Sequence, residues 1–143
     1  MDWSYNKKHK GCALKGNLIK YVHNNLCLGS IREEHSKFYA IIIYLLIKND
    51  IERIKSLTIC NDEEFIYVKE YLMQLLGDKA GYFIIRNITE FREILGRKIK
   101  SPADNCANSY RKRGLNKKKW SNGKTLNVVE INFELIKEYW GRL

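Results

Sequence analysis

The chain is short of the residues that break or staple a fold. One proline and nine glycines in 143 residues exclude collagen-like and low-complexity disordered classes. The longest apolar run, residues 38–47, holds ten residues, and a bilayer span needs about 20. Met1-Asp2-Trp3-Ser4 has no secretory-leader layout, so the sequence predicts a cytoplasmic protein with no membrane partner. Cys12, Cys27, Cys60 and Cys106 lie far apart, with no Cys-x-x-Cys pair and no histidine at zinc spacing. They read as buried free thiols in a reducing compartment, and a disulfide stays open for a protein from a hot habitat. A single glutamine, Gln74, beside many lysines and isoleucines fits such a habitat. A glycine-rich phosphate loop, a Gly-x-Ser-x-Gly elbow and a Cys/His nucleophile pair are missing as well.

What the chain does have is apolar material and positive charge. Apolar residues make up 45% of it, enough for one domain over residues 1–143 with its own core. Twenty-six Lys and Arg against sixteen Asp and Glu leave +10, which points to a polyanionic partner, nucleic acid before a membrane surface. The excess is unevenly spread. Residues 1–96 carry fourteen basic and twelve acidic side chains, and residues 97–143 carry twelve and four. The partner signal therefore sits mostly in the last third.

Residues 11–24 read as a β-hairpin, with Lys15-Gly16-Asn17 as its turn. Ser30-Ile31-Arg32-Glu33 has the form of a capping box and opens a helix to about Lys48. Its centre is apolar nearly all round, so it should be heavily buried. A strand over residues 54–60 and an amphipathic helix over residues 63–76 follow, with Phe65, Val68, Leu72 and Leu75 at helical spacing. Next come a strand at residues 82–85 and a short helix at residues 89–95 ending at Gly96. Ser101-Pro102-Ala103-Asp104 opens a helix that ends near Gly114. A strand over residues 126–131 and a helix over residues 133–140 complete the series.

Four acids fall at element ends in an otherwise basic chain: Asp2, Glu34, Asp62 and Asp104. Positions +4, +7, +8 and +11 from Glu34 are Phe38, Ile41, Ile42 and Leu45, so this glutamate lies on the core-facing stripe at the open end of its helix. Carboxylates gathered at one sheet edge bind Mg²⁺ or Mn²⁺, and two such ions serve phosphodiester hydrolysis. Each acid also has a plainer role, as a helix cap, a dipole partner or a surface charge.

The order of elements and acids resembles the ribonuclease H-like superfamily. Asp2-Trp3-Ser4 stands where that family has a strand aspartate, often as Asp-Gly-Ser. A hairpin and a glutamate-bearing helix follow, then a strand ending in an acid, here Asp62. Ala103-Asp104-Asn105-Cys106-Ala107 has the family's closing Ala-Asp-x-x-Ala form. The resemblance covers residues 2–114. It implies an α/β fold, a mixed sheet flanked by helices, with residues 115–143 as a strand-helix extension. It also implies a Mg²⁺- or Mn²⁺-dependent nuclease with Asp2, Glu34, Asp62 and Asp104 as metal ligands and catalytic residues. Two departures stand out: only Met1 precedes Asp2, and Lys37 fills the family's usual glutamate slot, one turn after Glu34.

Residues 110–120 place six basic side chains in eleven, framed by Tyr110 and Trp120. Arg111, Lys112, Arg113, Lys117, Lys118 and Lys119 can neutralise phosphates, and Trp120 can stack on a base. Lys7, Lys8 and Lys10 offer a second contact, with His9 between them. Trp3, Tyr5, Tyr39, Tyr44 and Trp140 read as core aromatics. The expected protein binds an RNA–DNA hybrid, a duplex or a junction and cleaves it, as a monomer or a dimer. Two alternatives are a binding module of the same fold without catalysis, and a winged-helix regulator using the Ser101 helix and residues 125–132.

Overall fold

The computed structural model describes residues 12, 14, 16–27, 29, 31–59, 63–82, 84–96 and 129–143. Among them the fold is mixed α/β. Helix α1 (Gly16–Asn25) leads to the long α2 (Ile31–Ile47), then a 3₁₀ turn (Ile51–Arg53) and strand β1 (Ser56–Ile59). Helix α3 (Phe65–Leu76), a second 3₁₀ segment (Gly77–Tyr82), strand β2 (Ile84–Asn87) and helix α4 (Ile88–Leu95) follow, and α5 (Phe133–Trp140) ends the chain.

The two strands pair in parallel, Ser56 opposite Ile84 and Ile59 opposite Asn87. Parallel neighbours need a long crossover, and α3 with its 3₁₀ extension supplies it. Gly77 makes the turn out of α3 at φ +58°, a backbone region that side chains disfavour. Asn87 ends β2 and starts α4 at once, its Oδ1 accepting the Glu90 N–H at 2.8 Å. That cap explains why the strand lies two residues further on than the expected 82–85. Gly96 closes α4 in the left-handed conformation, φ +66°, as the sequence predicts.

Helix α2 is the centre of the molecule, and its all-round apolar sequence has a simple cause. One side, through Ala40, packs with Ile51, Ile59, Val68, Leu72, Leu76 and Ile85 of the β1–α3–β2 unit. The other side, through Ile41 and Leu45, packs on Tyr139 of α5. Ile41, Val68, Leu72 and Ile136 are fully buried, each such side chain stabilising the fold by about 1.5–3 kcal/mol. The stripe running from Glu34 is buried as expected at Ile41, Ile42 and Leu45.

The hairpin expected over residues 11–24 is corrected: residues 16–25 form α1. Leu18, Val22 and Leu26 recur at four-residue spacing, and Val22 is buried while Asn17, Lys20, His23 and Asn24 face solvent. A five-residue apolar stretch does not separate strand from helix by pattern alone, and burial of one helical stripe decided the outcome. Tyr21 meets Phe133 of α5 edge to face, ring centroids 4.5 Å apart. The expected strand over residues 126–131 has no counterpart at Val129–Ile131, which run outside any strand; residues 126–128 lie outside the described residues. So does the helix expected from Ser101. Asn132 caps α5 by accepting the Leu135 N–H at 2.9 Å.

Candidate functional site

The N-terminal end of α2 gathers the polar chemistry of the described residues. Arg32, Glu33, Glu34 and Lys37 leave its first two turns on different sides, because successive residues on a helix point about 100° apart. Arg32 pairs with Glu64, the residue that precedes α3, at 3.6 Å. Arg32 is exposed and Glu64 half-buried, so the pair orients more than it stabilises. It also places the start of α3 beside the start of α2: Glu64 stands two residues after Asp62 in sequence, and Arg32 two residues before Glu34.

Glu33 accepts a short hydrogen bond, 2.6 Å, from the Tyr71 hydroxyl of α3. Burial pushes the Tyr71 hydroxyl far above the ordinary tyrosine range. The bond to Glu33 and the negative charges of Glu33, Glu34 and Glu70 push the same way. Tyr71 therefore stays a donor at every physiological pH. Glu33, read from the sequence as half of a capping box, thus joins α2 to α3.

Glu34 turns into the protein. Its Oε2 is buried without a hydrogen-bond partner, and its Oε1 lies close to Gly29. A Cβ at Gly29 would stand 3.2 Å from that oxygen, so a side chain there would press the carboxylate aside by a few tenths of an ångström. Cys27 senses the same charge: burial raises its thiol first, Glu34 raises it further, and Lys37 opposes them. Lys37 sets its Nζ 4.4 Å from the Trp140 ring centroid and 5.9 Å from that of Tyr71. The ammonium thus ties α2 to α5 and α3 through aromatic faces.

Of the four expected metal ligands, only Glu34 belongs to the described residues. Asp2, Asp62 and Asp104 lie outside them, as do Lys7, Lys8, Lys10, His9, Arg111, Lys112, Arg113, Lys117, Lys118, Lys119 and Trp120. Among the described residues no three His, Cys, Asp or Glu side chains form a group that could hold a metal ion. The buried, unpartnered oxygen of Glu34 is an acceptor of the kind a hard divalent cation takes, and it fits one ligand of such a site. Cys12 and Cys27 are free thiols, and Cys60 and Cys106 lie outside the described residues.

Sequence reasoning missed Tyr71, the Lys37–Trp140 contact and a His23–His35 pair whose ring nitrogens stand 3.4 Å apart. Tyr71 lies 38 residues from Glu33, a separation that no local spacing rule bridges. Trp140, expected as a core aromatic, does pack on the cluster around Ile41 and Tyr139, and its ring also receives Lys37.

The charge can now be assigned more closely than by thirds. Residues 97–128 hold ten basic side chains and one acidic, and the other residues hold sixteen and fifteen. No helix among the described residues is long and apolar enough to cross a membrane. No family model matches the chain, and no curated protein or solved structure matches it.

Proposed function

We propose that this chain binds nucleic acid through its basic segment and cleaves it as a Mg²⁺- or Mn²⁺-dependent nuclease of ribonuclease H-like fold. One observation carries the binding half: a single stretch, residues 97–128, holds ten cationic side chains against one acid, and the rest of the chain is nearly balanced. A folded body of net charge near zero has no electrostatic need for such a stretch, whereas a phosphate backbone does. Arg111, Lys112, Arg113, Lys117, Lys118 and Lys119 neutralise phosphates, Trp120 stacks on a base, and Lys7, Lys8 and Lys10 add a second contact.

The cleavage half rests on Glu34. A buried carboxylate oxygen without a donor is costly, and it is the arrangement that a cation relieves. Asp2, Glu34, Asp62 and Asp104 would hold the metal, which when bound supplies Lewis acidity and an activated water. Glu33 is kept apart for Tyr71, so the two neighbouring glutamates divide their work, one structural and one available.

A second reading, binding without cleavage, is favoured by Lys37. In the family's glutamate slot this chain has a cation, and its ammonium packs against Trp140 rather than offering an acceptor. Helix α1 in place of the family's hairpin leans the same way.

Binding and cleavage have separate tests. Fluorescence anisotropy on labelled hybrid, duplex and junction should give an affinity that falls steeply with salt. Six neutralised phosphates predict a slope near −5 and about a 10³-fold loss between 50 and 200 mM salt. Affinity indifferent to salt refutes the phosphate contacts. Asp62→Asn and Asp104→Asn should each abolish Mg²⁺-dependent cutting and leave binding intact. Cutting retained in both variants refutes Asp62 and Asp104 as metal ligands, and cutting seen in no form, wild type included, leaves the non-catalytic reading in its place.

A further inference from the structure

A second cluster lies on the other side of α2, away from the glutamates' aromatic partners. His23, in the last turn of α1, and His35, in the second turn of α2, turn their rings toward each other, with Nδ1 of His23 3.4 Å from Nε2 of His35. The ring centroids are 5.4 Å apart and the planes are inclined by 54°. Both rings line a cleft of about 290 Å³, whose other walls include the apolar Ile19, Val22 and Phe38, together with Cys27 and the cationic Lys20.

Without a metal the two nitrogens share a long hydrogen bond, the donor set by the tautomers, where about 2.9–3.0 Å is usual. The same separation also matches a second geometry. Zinc–imidazole bonds of about 2.0–2.1 Å at tetrahedral angles put neighbouring ligand nitrogens roughly 3.3–3.4 Å apart. Two imidazoles held at that spacing by separate helices, beside apolar walls, form one edge of a coordination tetrahedron. Nitrogen donors select borderline cations such as Zn²⁺ or Ni²⁺ over the hard Mg²⁺.

We propose that His23 Nδ1 and His35 Nε2 form a two-histidine site for a borderline divalent cation of the Zn²⁺ type, with water filling the remaining positions. The site is independent of the nuclease reading, since it uses different donors and a different class of metal. Its physical consequence is a bond between α1 and α2 that adds to the Tyr21–Phe133 ring contact holding α1 to α5. With two protein ligands and no third grouped with them among the described residues, the ion is exchangeable rather than locked in.

The test is titration of the full chain with ZnCl₂, followed by calorimetry and by long-range ¹H–¹⁵N spectra of the imidazoles. One equivalent should bind, the Nδ1 signal of His23 and the Nε2 signal of His35 should shift together, and millimolar Mg²⁺ should move neither. His23→Gln and His35→Gln should each weaken Zn²⁺ binding tenfold or more. His23 is exposed, so its variant folds and reports on the site even if the His35 variant is unstable. Zn²⁺ affinity unchanged in His23→Gln, shifts confined to the opposite ring nitrogens or to His9, or no saturable binding would overturn the proposal.

Discussion

Replacing Glu34 by methionine should make the protein more stable, and the expected gain follows from the geometry. The Oε2 atom has neither solvent nor a hydrogen-bond donor, and leaving a buried acceptor unpaired costs about 1–3 kcal/mol. Glu34 as a whole is only part-buried, which puts the relief on the low side of that range. Methionine has the same reach, fills the same space and propagates a helix as well as glutamate does. One term opposes the gain: Glu34 is an acid in the first turn of α2, where the helix dipole favours negative charge by about 0.3–1 kcal/mol. The net is a gain of about 0.5 kcal/mol. For a chain of this length that raises Tm by roughly 2 °C and moves the urea midpoint upward with no change in slope. Scanning calorimetry and urea melts in metal-free buffer measure both. A second arm joins this to function. MgCl₂ should raise the Tm of the wild-type protein, because a ligand that binds only the folded state stabilises it, and should leave Glu34→Met unmoved. The reasoning is refuted if Glu34→Met melts lower than wild type without metal, since the carboxylate would then be stabilising rather than strained. A residue that lowers stability where it stands, and gains from a cation, has the signature of a site kept for function.

Two further outcomes follow from the same corner of the fold. Tyr71→Phe removes the donor to Glu33 and should cost about 1–2 kcal/mol. Because folding raises the Tyr71 value, the stability it contributes is complete below the unfolded value near 10 and is lost as pH rises toward the folded one. Wild-type stability should therefore fall above pH 10 and that of Tyr71→Phe should fall less, in urea melts from pH 8 to 11; parallel curves would rule this out. Lys37→Met should lose about 1 kcal/mol of cation–π attraction and Lys37→Arg should keep most of it. A double-mutant cycle of Lys37→Met with Trp140→Leu should show the two coupled, and strict additivity would remove the contact.

The elements that the sequence reveals best are those whose own apolar stripe decides their form. Helices α2, α3 and α5 have ten or more apolar positions among them at helical spacing, with caps or glycines at their ends, and they lie within two residues of where spacing puts them. Helix α1 was misread because Leu18-Ile19-Lys20-Tyr21-Val22 suits either period, and the surfaces that settle it, Phe133 and His35, are more than ten residues away in sequence. The candidate site divides in the same manner. Glu34 was legible because a helix fixes the direction of every fourth residue. Its lack of a partner, and its approach to Gly29, depend on how the chain before α2 returns, which no periodicity encodes. The Tyr71 and Trp140 contacts were hidden for the same reason: each joins α2 to a helix placed by the tertiary fold.

Helix α5 gives the basic segment a particular mechanical setting. In sequence, residues 97–128 lie between Gly96, the C-cap of α4, and Asn132, the N-cap of α5. Ile136 and Tyr139 of that helix are buried against the rest of the protein. The cationic stretch is thus joined to a helix of the fold on each side. A load on that stretch reaches α4 and α5 together, and α5 packs on Ile41 and Leu45 of α2. Cutting the chain after Gly96 would therefore remove not the charge alone but also Ile136 and Tyr139, a wall of the core.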